Sequence, residues 1–249
     1  MTRAIRTLLI LLALNFAPVP VAADIIVPSS LVNVEGNANN GFPFNILDHG
    51  RTSMRYQQVY LASEFGPDAL NIEAMLFRPD GGNGGSGNPF STVLPNAQIN
   101  LSTTPNGPDG LSSTFADNVG LDDTNVHAGS LALSSADAAG PGNTRAFDII
   151  IPFTTPFFYN PALGNLLLDV RVVGGLSTQF DANETFGDSV SRVFSDDSAA
   201  STGIPDTLGL VTKFQTSPVN AVPDPASSMS LLMMGFSGLF AARRWTKSN

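Results

Sequence analysis

The feature that most limits the fold of this 249-residue chain is a series of short apolar and β-branched runs separated by turn residues. The chain contains 23 Gly and 18 Pro, and many of them stand between these runs, where they interrupt any long helix. Residues 97–102 alternate apolar with polar side chains, as a strand with one buried face does. No βαβ rhythm of about 30 residues appears, so the runs favour antiparallel sheets.

The predicted strands define one β-rich domain over residues 24–216, followed by a linker at 217–221. We expect an all-β fold, an antiparallel β-sandwich of the jelly-roll type, because closely spaced strands with Gly, Pro and Asn turns are typical of that class. Residues 111–119 fit either a short helix or the edge of a strand. The predicted strands are residues 56–61, 71–78, 97–102, 124–133, 145–153, 166–173, 189–194 and 208–214.

The charge balance and the cysteine count exclude several functions. With 12 Lys and Arg against 21 Asp and Glu, the chain has a formal net charge of −9. Binding to nucleic acid needs clustered basic residues that displace counterions from phosphates, so no nucleic-acid partner is expected. The chain has no Cys, which excludes disulfides, thiolate metal sites and a cysteine nucleophile.

The first 23 residues have the three parts of a secretory signal peptide. Arg3 and Arg6 give a positive start, residues 8–14 are an unbroken apolar stretch, and small or aliphatic residues precede a cleavage site. We expect signal peptidase to cut between Ala23 and Asp24, which predicts an exported protein.

The C-terminal end has a second segment of three parts. A Pro-acid-Pro element is followed by the apolar residues 226–242, which are just long enough for a single transmembrane helix. The basic residues beyond that helix favour a cytoplasmic tail by the positive-inside rule. The residues of the predicted sorting motif are Val222, Pro223, Asp224, Pro225, Arg243 and Arg244.

This ending, residues 222–249, closely resembles the PEP-CTERM sorting signal of bacterial exosortase substrates. The resemblance implies export, a transient anchor in the inner membrane, cleavage near the Pro-acid-Pro element by an exosortase-type protease, and release or attachment at the cell surface. The usual acid is Glu, and Asp224 keeps the charge with a side chain one methylene shorter. Bacteria with this system commonly make exopolysaccharide, which the resemblance implies as a partner.

Residues 55–60 and 169–171 also resemble domains of other PEP-CTERM proteins, which supports the fold class alone.

Acidic loops offer the clearest ligand chemistry in the domain. Asp117, Asp122 and Asp123 lie within seven residues of one another, and calcium binds clustered carboxylates and loop carbonyls. The sequence therefore predicts a calcium site there, and no other cofactor. The alternative is turn chemistry, because Asp and Asn side chains also bond their own backbone in loops.

Catalytic motifs are weak, so we predict no enzyme and no catalytic residue. His127 follows Asp122 and Asp123 closely, but the chain lacks the Gly-x-Ser-x-Gly element that would place a serine nucleophile. We expect a structural or adhesive protein of the cell surface or extracellular matrix, linked to exopolysaccharide or biofilm. The alternatives are an extracellular carbohydrate-binding module and, third, a secreted hydrolase. Four aromatic residues form either an exposed platform for sugars or a buried corner: Phe153, Phe157, Phe158 and Tyr159.

Overall fold

The computed structural model describes residues 23–82 and 88–219, and within these ranges the regular structure is strands and short 3-10 helices, with no α-helix. The strands are β1 (Ala23–Val27), β2 (Ala38–Asn40), β3 (Ser53–Tyr60), β4 (Leu70–Phe77), β5 (Phe90–Thr104), β6 (Thr124–Ser135), β7 (Ile149–Tyr159), β8 (Asn165–Val173), β9 (Phe180–Glu184), β10 (Val190–Ser195), β11 (Ile204–Asp206), β12 (Leu208–Leu210) and β13 (Thr212–Pro218). The 3-10 helices are Ser29–Leu31, Leu47–His49, Ala62–Phe65, Phe115–Asn118, Pro141–Asn143 and Pro161–Leu163.

The strands form three antiparallel sheets. The largest has six strands in the order β11-β10-β3-β8-β5-β6, the second has four in the order β1-β13-β4-β7, and the third has three in the order β12-β9-β2. Every pairing between named strands is antiparallel. The all-β antiparallel class predicted from the sequence is therefore confirmed.

The main core lies between the two larger sheets, which both contribute buried side chains to one cluster. Tyr60 of β3 and Phe214 of β13 meet edge to face, with ring centroids 5.0 Å apart, and Phe65 packs on the same Phe214 ring at 5.2 Å. These three rings join the six-stranded sheet to the four-stranded sheet. Burial of large aromatic side chains of this kind supplies much of the stability of a β fold.

The outer face of the six-stranded sheet carries a second, smaller apolar cluster. Its buried residues are Val59, Leu111, Phe115, Leu167 and Val193. Leu111 and Phe115 come from the segment that connects β5 to β6, so this segment lies over part of the outer face. The sheet is consequently covered on its inner face by the core and only partly covered on its outer face, where a cleft remains beside the covering segment.

Each predicted strand overlaps an observed strand, but two details differ. The run 208–214 is two strands, β12 and β13, which belong to different sheets and are separated by Val211. Residues 111–119, which fitted either a short helix or the edge of a strand, contain one short 3-10 helix, Phe115–Asn118. The strands β1, β2, β9 and β11 were not predicted, because each has only three to five residues and so gives a weak local pattern.

The two ends of the described chain are neighbours. In β1 and β13, Ala23 lies opposite Thr216, and β13 continues to Pro218. The predicted cleavage site therefore lies at the first residue of β1. The remainder of the predicted signal peptide, the predicted sorting motif and the predicted membrane helix at 226–242 lie outside the described residues. Among the residues that are described, no helix is long and apolar enough to cross a membrane.

Candidate functional site

A grid of polar side chains covers the open part of the outer face. Strand pairing places Arg171 of β8 directly between Arg55 of β3 and Gln98 of β5. One row further along, Asp169 lies between Gln57 and Asn100 in the same three strands. Side chains two residues apart in a strand point to the same face, so charged and amide groups of both rows share one surface.

This surface forms the floor of a cleft of about 410 Å³. The covering segment between β5 and β6 supplies the walls. The residues that line the cleft are Arg55, Gln98, Asn100, Ala116, Val119, Asp123, Asp169 and Arg171.

An ion pair between Arg55 and Asp169 fixes one end of the floor. Arg55 donates from Nε and Nη2 to the two carboxylate oxygens at 3.3 and 2.7 Å, and both residues are buried. Gln57 Nε2 donates to the same carboxylate at 2.9 Å, and the guanidinium stacks 4.4 Å from the ring centre of Phe115. Two parallel bonds plus a stacking contact hold a guanidinium in one orientation, so this group is a rigid part of the floor.

Asp123 forms the opposite side of the cleft. Its two carboxylate oxygens accept from Asn100 Nδ2 at 3.0 and 2.9 Å. The residue is exposed overall, yet desolvation of its carboxyl group in the cleft wall raises its pKa, and the hydrogen bond from Asn100 opposes this shift. The charge of Asp169 also raises the pKa of Asp123, whereas Arg171 lowers it.

Arg171 is the exception among the arginines of the described ranges. Arg51, Arg55, Arg78, Arg145 and Arg192 each form an ion pair with an aspartate of this chain. Arg171 is half-buried in the cleft and, within residues 23–82 and 88–219, makes neither an ion pair nor a side-chain hydrogen bond. Its donors are therefore available to a ligand.

The three aspartates of the predicted calcium site bind separate partners. Asp117 accepts from Ser112 at 3.1 Å, while Asp122 accepts from the backbone N–H and the hydroxyl of Thr103 at 2.7 and 2.6 Å. Asp123 faces Asn100, as described above. The structure does not bring these carboxylates together as a group of three. Asp117 bonds within its own loop, whereas Asp122 and Asp123 bond residues of β5.

A different group of carboxylates does converge. Oxygens of Glu35, Asp80 and Asp181 lie within 4.8 Å of one another. Arg78 donates from Nε to Asp181 at 2.7 Å, with both side chains fully buried, so a cation is already part of this group. Burial, together with the charge of Glu35, raises the pKa of Asp181 to about 7, although Arg78 opposes the shift. The sequence could not reveal this group, because its members are far apart in the chain.

The aromatic residues of β7 divide between the two faces of the strand. Phe157 and Tyr159 are buried in the core, whereas Phe158 between them is 54% exposed. Phe153 is half-buried. The buried corner therefore describes this cluster better than a platform of four rings. Phe157 and Phe158 both border a groove, together with Leu163 and Asp122, but only Phe158 is largely exposed there.

Among the residues that line the cleft, only Asp123 was predicted from the sequence to bind a ligand, although a signal for the others was present. Polar residues recur at period two in β3, β5 and β8, on strands whose other face is apolar, and this pattern marks a polar sheet face. Comparisons with family models, with curated proteins and with solved structures find no match to this chain.

Proposed function

We propose that this is an exported bacterial protein of the cell surface or extracellular matrix, and that its cleft binds polysaccharide. The two end segments support export: a signal peptide, and a sorting signal that an exosortase-type protease would process after transient anchoring in the inner membrane. In this proposal the domain has a structural or adhesive role, and the polysaccharide is the exopolysaccharide or biofilm material around the cell.

We also propose that the architecture is a β-sandwich of the jelly-roll type. The shared core between the six-stranded and four-stranded sheets supports this assignment. The edge strands β6 and β7 also approach each other, and Thr154 Oγ1 donates to the carbonyl of Val126 at 3.0 Å. Two sheets that face each other and meet along one side are typical of that class.

The observation that carries the binding proposal is the mixture of donors and acceptors on the cleft floor. Arg171 offers N–H donors, Asp123 offers acceptors, and the amides of Gln98 and Asn100 offer both. A sugar hydroxyl donates one hydrogen bond and accepts others, so a surface of this composition can satisfy it. The neighbouring strands β5 and β8 hold the two amides and Arg171, and Asn100 holds Asp123 by hydrogen bonds, which keeps the spacing of these groups fixed.

The carboxylates of the cleft favour binding over hydrolysis. A glycosidase uses two carboxyl groups, of which one is a proton donor and the other a base or nucleophile. Asp169 is the buried carboxylate of this cleft, and its oxygens are engaged by Arg55 and Gln57. That bonding occupies both carboxylate oxygens of Asp169 and fixes the orientation of Arg55, which is a positioning role.

The test is binding of the host's own exopolysaccharide to the full-length protein, measured by affinity electrophoresis. We expect the double variant Gln98→Ala with Asn100→Ala to bind at least several-fold more weakly, because both amides lie on the floor. Gln215→Ala, which removes an exposed amide from the other large sheet, is the matched control and should bind as the unaltered protein does.

Two results would contradict the proposal. One is equal retention of the unaltered protein in gels with and without polysaccharide. The other is a double variant that binds normally, which would place binding elsewhere. Release of new reducing ends from the polysaccharide would favour the hydrolase alternative.

A further inference from the structure

We infer that the ligand of the cleft carries a carboxylate group, and that Arg171 binds it. This inference rests on the proposed function and names the chemical class of the sugar: a uronic acid or another carboxylated residue of an acidic polysaccharide. It concerns one side chain, which lies on the cleft floor and makes no ion pair or side-chain hydrogen bond with any residue that the structure describes.

The first argument is the contrast between Arg171 and the other arginines of the described ranges. Five of the six form ion pairs with an aspartate of the same chain. A guanidinium that is partly withdrawn from water loses hydration and gains when an acceptor replaces it. Arg171 is half-buried without such an acceptor, and it lies on the floor of the 410 Å³ cleft.

The second argument is that the neighbouring charges are already engaged. Arg55 lies opposite Arg171 on the next strand, but two bonds commit its guanidinium to Asp169. Asp123 contributes an electrostatic attraction to Arg171, yet it forms no ion pair with it, and its own oxygens accept from Asn100. An incoming carboxylate can therefore use the Arg171 donors without breaking a bond of the resting protein.

The third argument is the geometry and charge of the ligand group. A guanidinium presents planar pairs of N–H donors, which match the two oxygens of a carboxylate. A phosphate ester would bring more negative charge beside Asp123 and Asp169, which line the same cleft. A sulfate ester carries one negative charge, as a carboxylate does, but spreads it over three oxygens, so each oxygen is a weaker hydrogen-bond acceptor. We therefore expect carboxylated sugars to bind better than sulfated ones.

The experiment is isothermal titration of the full-length protein with three sets of oligosaccharides. The first set contains oligomers of galacturonate, glucuronate and mannuronate, the second contains the same oligomers with their carboxyl groups reduced to alcohols, and the third contains sulfated oligomers. We expect at least one uronate oligomer to bind roughly tenfold or more tightly than its reduced counterpart, the usual value of a hydrogen bond to a charged group. Added salt should weaken that preference.

The variant Arg171→Gln should lose the preference for the uronate while it binds the reduced oligomer as before. Its melting temperature should stay close to that of the unaltered protein, because Arg171 bonds no other described side chain. Arg51→Gln, which removes another partly exposed arginine outside the cleft, is the matched control and should retain the preference.

Three results would overturn the inference. If uronate and reduced oligomers bind equally, the cleft does not recognise the carboxylate group. That result would not contradict the proposed binding of polysaccharide. If sulfated oligomers bind as tightly as uronates, the site recognises anions in general. If no uronate oligomer binds at all, the inference is wrong, and the assay with host exopolysaccharide decides the proposed function separately.

Discussion

Arg78 and Asp181 form an ion pair in which both side chains are completely buried, with Arg78 Nε donating to the carboxylate at 2.7 Å. The same guanidinium donates from Nη2 to the carbonyl oxygens of Leu31 and Val34 at 2.9 and 2.7 Å. Arg78 follows β4 directly, and Asp181 lies in β9. The pair therefore joins two sheets and the segment after β1 at one point.

Replacing Arg78 should be the most destabilising single change among these charged groups. Arg78→Met keeps most of the side-chain volume but leaves Asp181 buried without its cation, and losing one partner of a buried pair costs about 3–5 kcal/mol. We expect the free energy of unfolding, measured in urea, to fall by that amount. The matched control is Arg51→Met, which breaks the more exposed pair with Asp196 and should cost at most about 1 kcal/mol. Equal losses in the two variants would show that burial does not set the value of these pairs.

The carboxylates around Arg78 predict a stability that falls as the pH rises. The pKa of Asp181 is about 7 in the folded protein against an ordinary value of 3.8, because burial and the charge of Glu35 disfavour ionisation despite Arg78. The folded state therefore holds a proton that the unfolded state releases above pH 4. The stabilisation from that proton is complete below pH 4 and is lost as the pH rises through about 7, by at most about 1.4 kcal/mol per pH unit.

Urea titrations at pH 5, 6, 7 and 8 check this dependence. Asp181→Asn should lower stability at every pH and reduce the dependence between pH 5 and 8. Glu35→Gln, which removes the neighbouring charge, should reduce the same dependence by lowering the pKa of Asp181. Glu184→Gln is the control, since Glu184 is exposed at the end of β9 and should leave the profile unchanged. A profile that is equally steep in Asp181→Asn would assign the dependence to other groups.

Local patterns predict strands well, and they predict the meeting of distant residues poorly. The alternation in 97–102 marks the inner and outer faces of β5 because that information lies within six residues. The cluster of Glu35, Asp80 and Asp181 depends on β9 pairing with β2 and on an isolated bridge between Pro79 and Phe180. No local pattern encodes those contacts, so the cluster could not be predicted.

The aspartates of the predicted calcium site show that proximity in the sequence does not by itself bring side-chain oxygens together. Asp122 and Asp123 are adjacent, yet one carboxylate faces Thr103 and the other faces Asn100. The aromatic cluster of β7 divides for a related reason, because neighbouring strand residues point to opposite faces. The alternation of apolar and polar residues predicted the strands. The same geometry places the side chains of consecutive residues on opposite faces of a sheet.

Gly120 should be essential to the wall of the cleft. A Cβ atom there would lie 1.8 Å from the carbonyl oxygen of Thr103, so any side chain pushes the loop away from β5. We expect Gly120→Ala to lower the free energy of unfolding by about 1–3 kcal/mol and to weaken polysaccharide binding, because Asp123 moves with the loop. Gly82→Ala is the control, since open space surrounds that position. Unchanged thermal stability and binding in Gly120→Ala would show that the loop accommodates the methyl group without cost.

Calcium stabilisation remains a prediction, and the structure improves its test. Asp122 accepts two hydrogen bonds from Thr103, so Asp122→Ala with Asp123→Ala should destabilise the protein without any ion. The informative quantity is the increase in melting temperature on adding millimolar calcium, measured separately for each protein. We expect an increase of several degrees for the unaltered protein, none with magnesium or chelator, and none for the double variant. The same increase in the double variant would assign binding elsewhere, with the group at Glu35 as the alternative to examine by Glu35→Gln.

Processing at both ends should leave the domain intact, because the predicted cuts remove only the first residue of one strand, Ala23 of β1. Cleavage after Ala23 removes one residue of β1, which pairs along its remaining length with β13, and Asp24 keeps its ion pair with Lys213 at 2.6 Å. Cleavage near Pro223 to Ala226 lies beyond the end of β13 at Pro218.

We expect mass spectrometry of the released protein to give a chain that begins at Asp24 and ends between Pro223 and Ala226. Replacing Pro223, Asp224 and Pro225 with alanine should retain the protein in the membrane fraction, whereas Asp224→Glu should be released at least as efficiently as the unaltered chain. Full-length protein in the medium, or normal release of the alanine variant, would refute sorting by this signal.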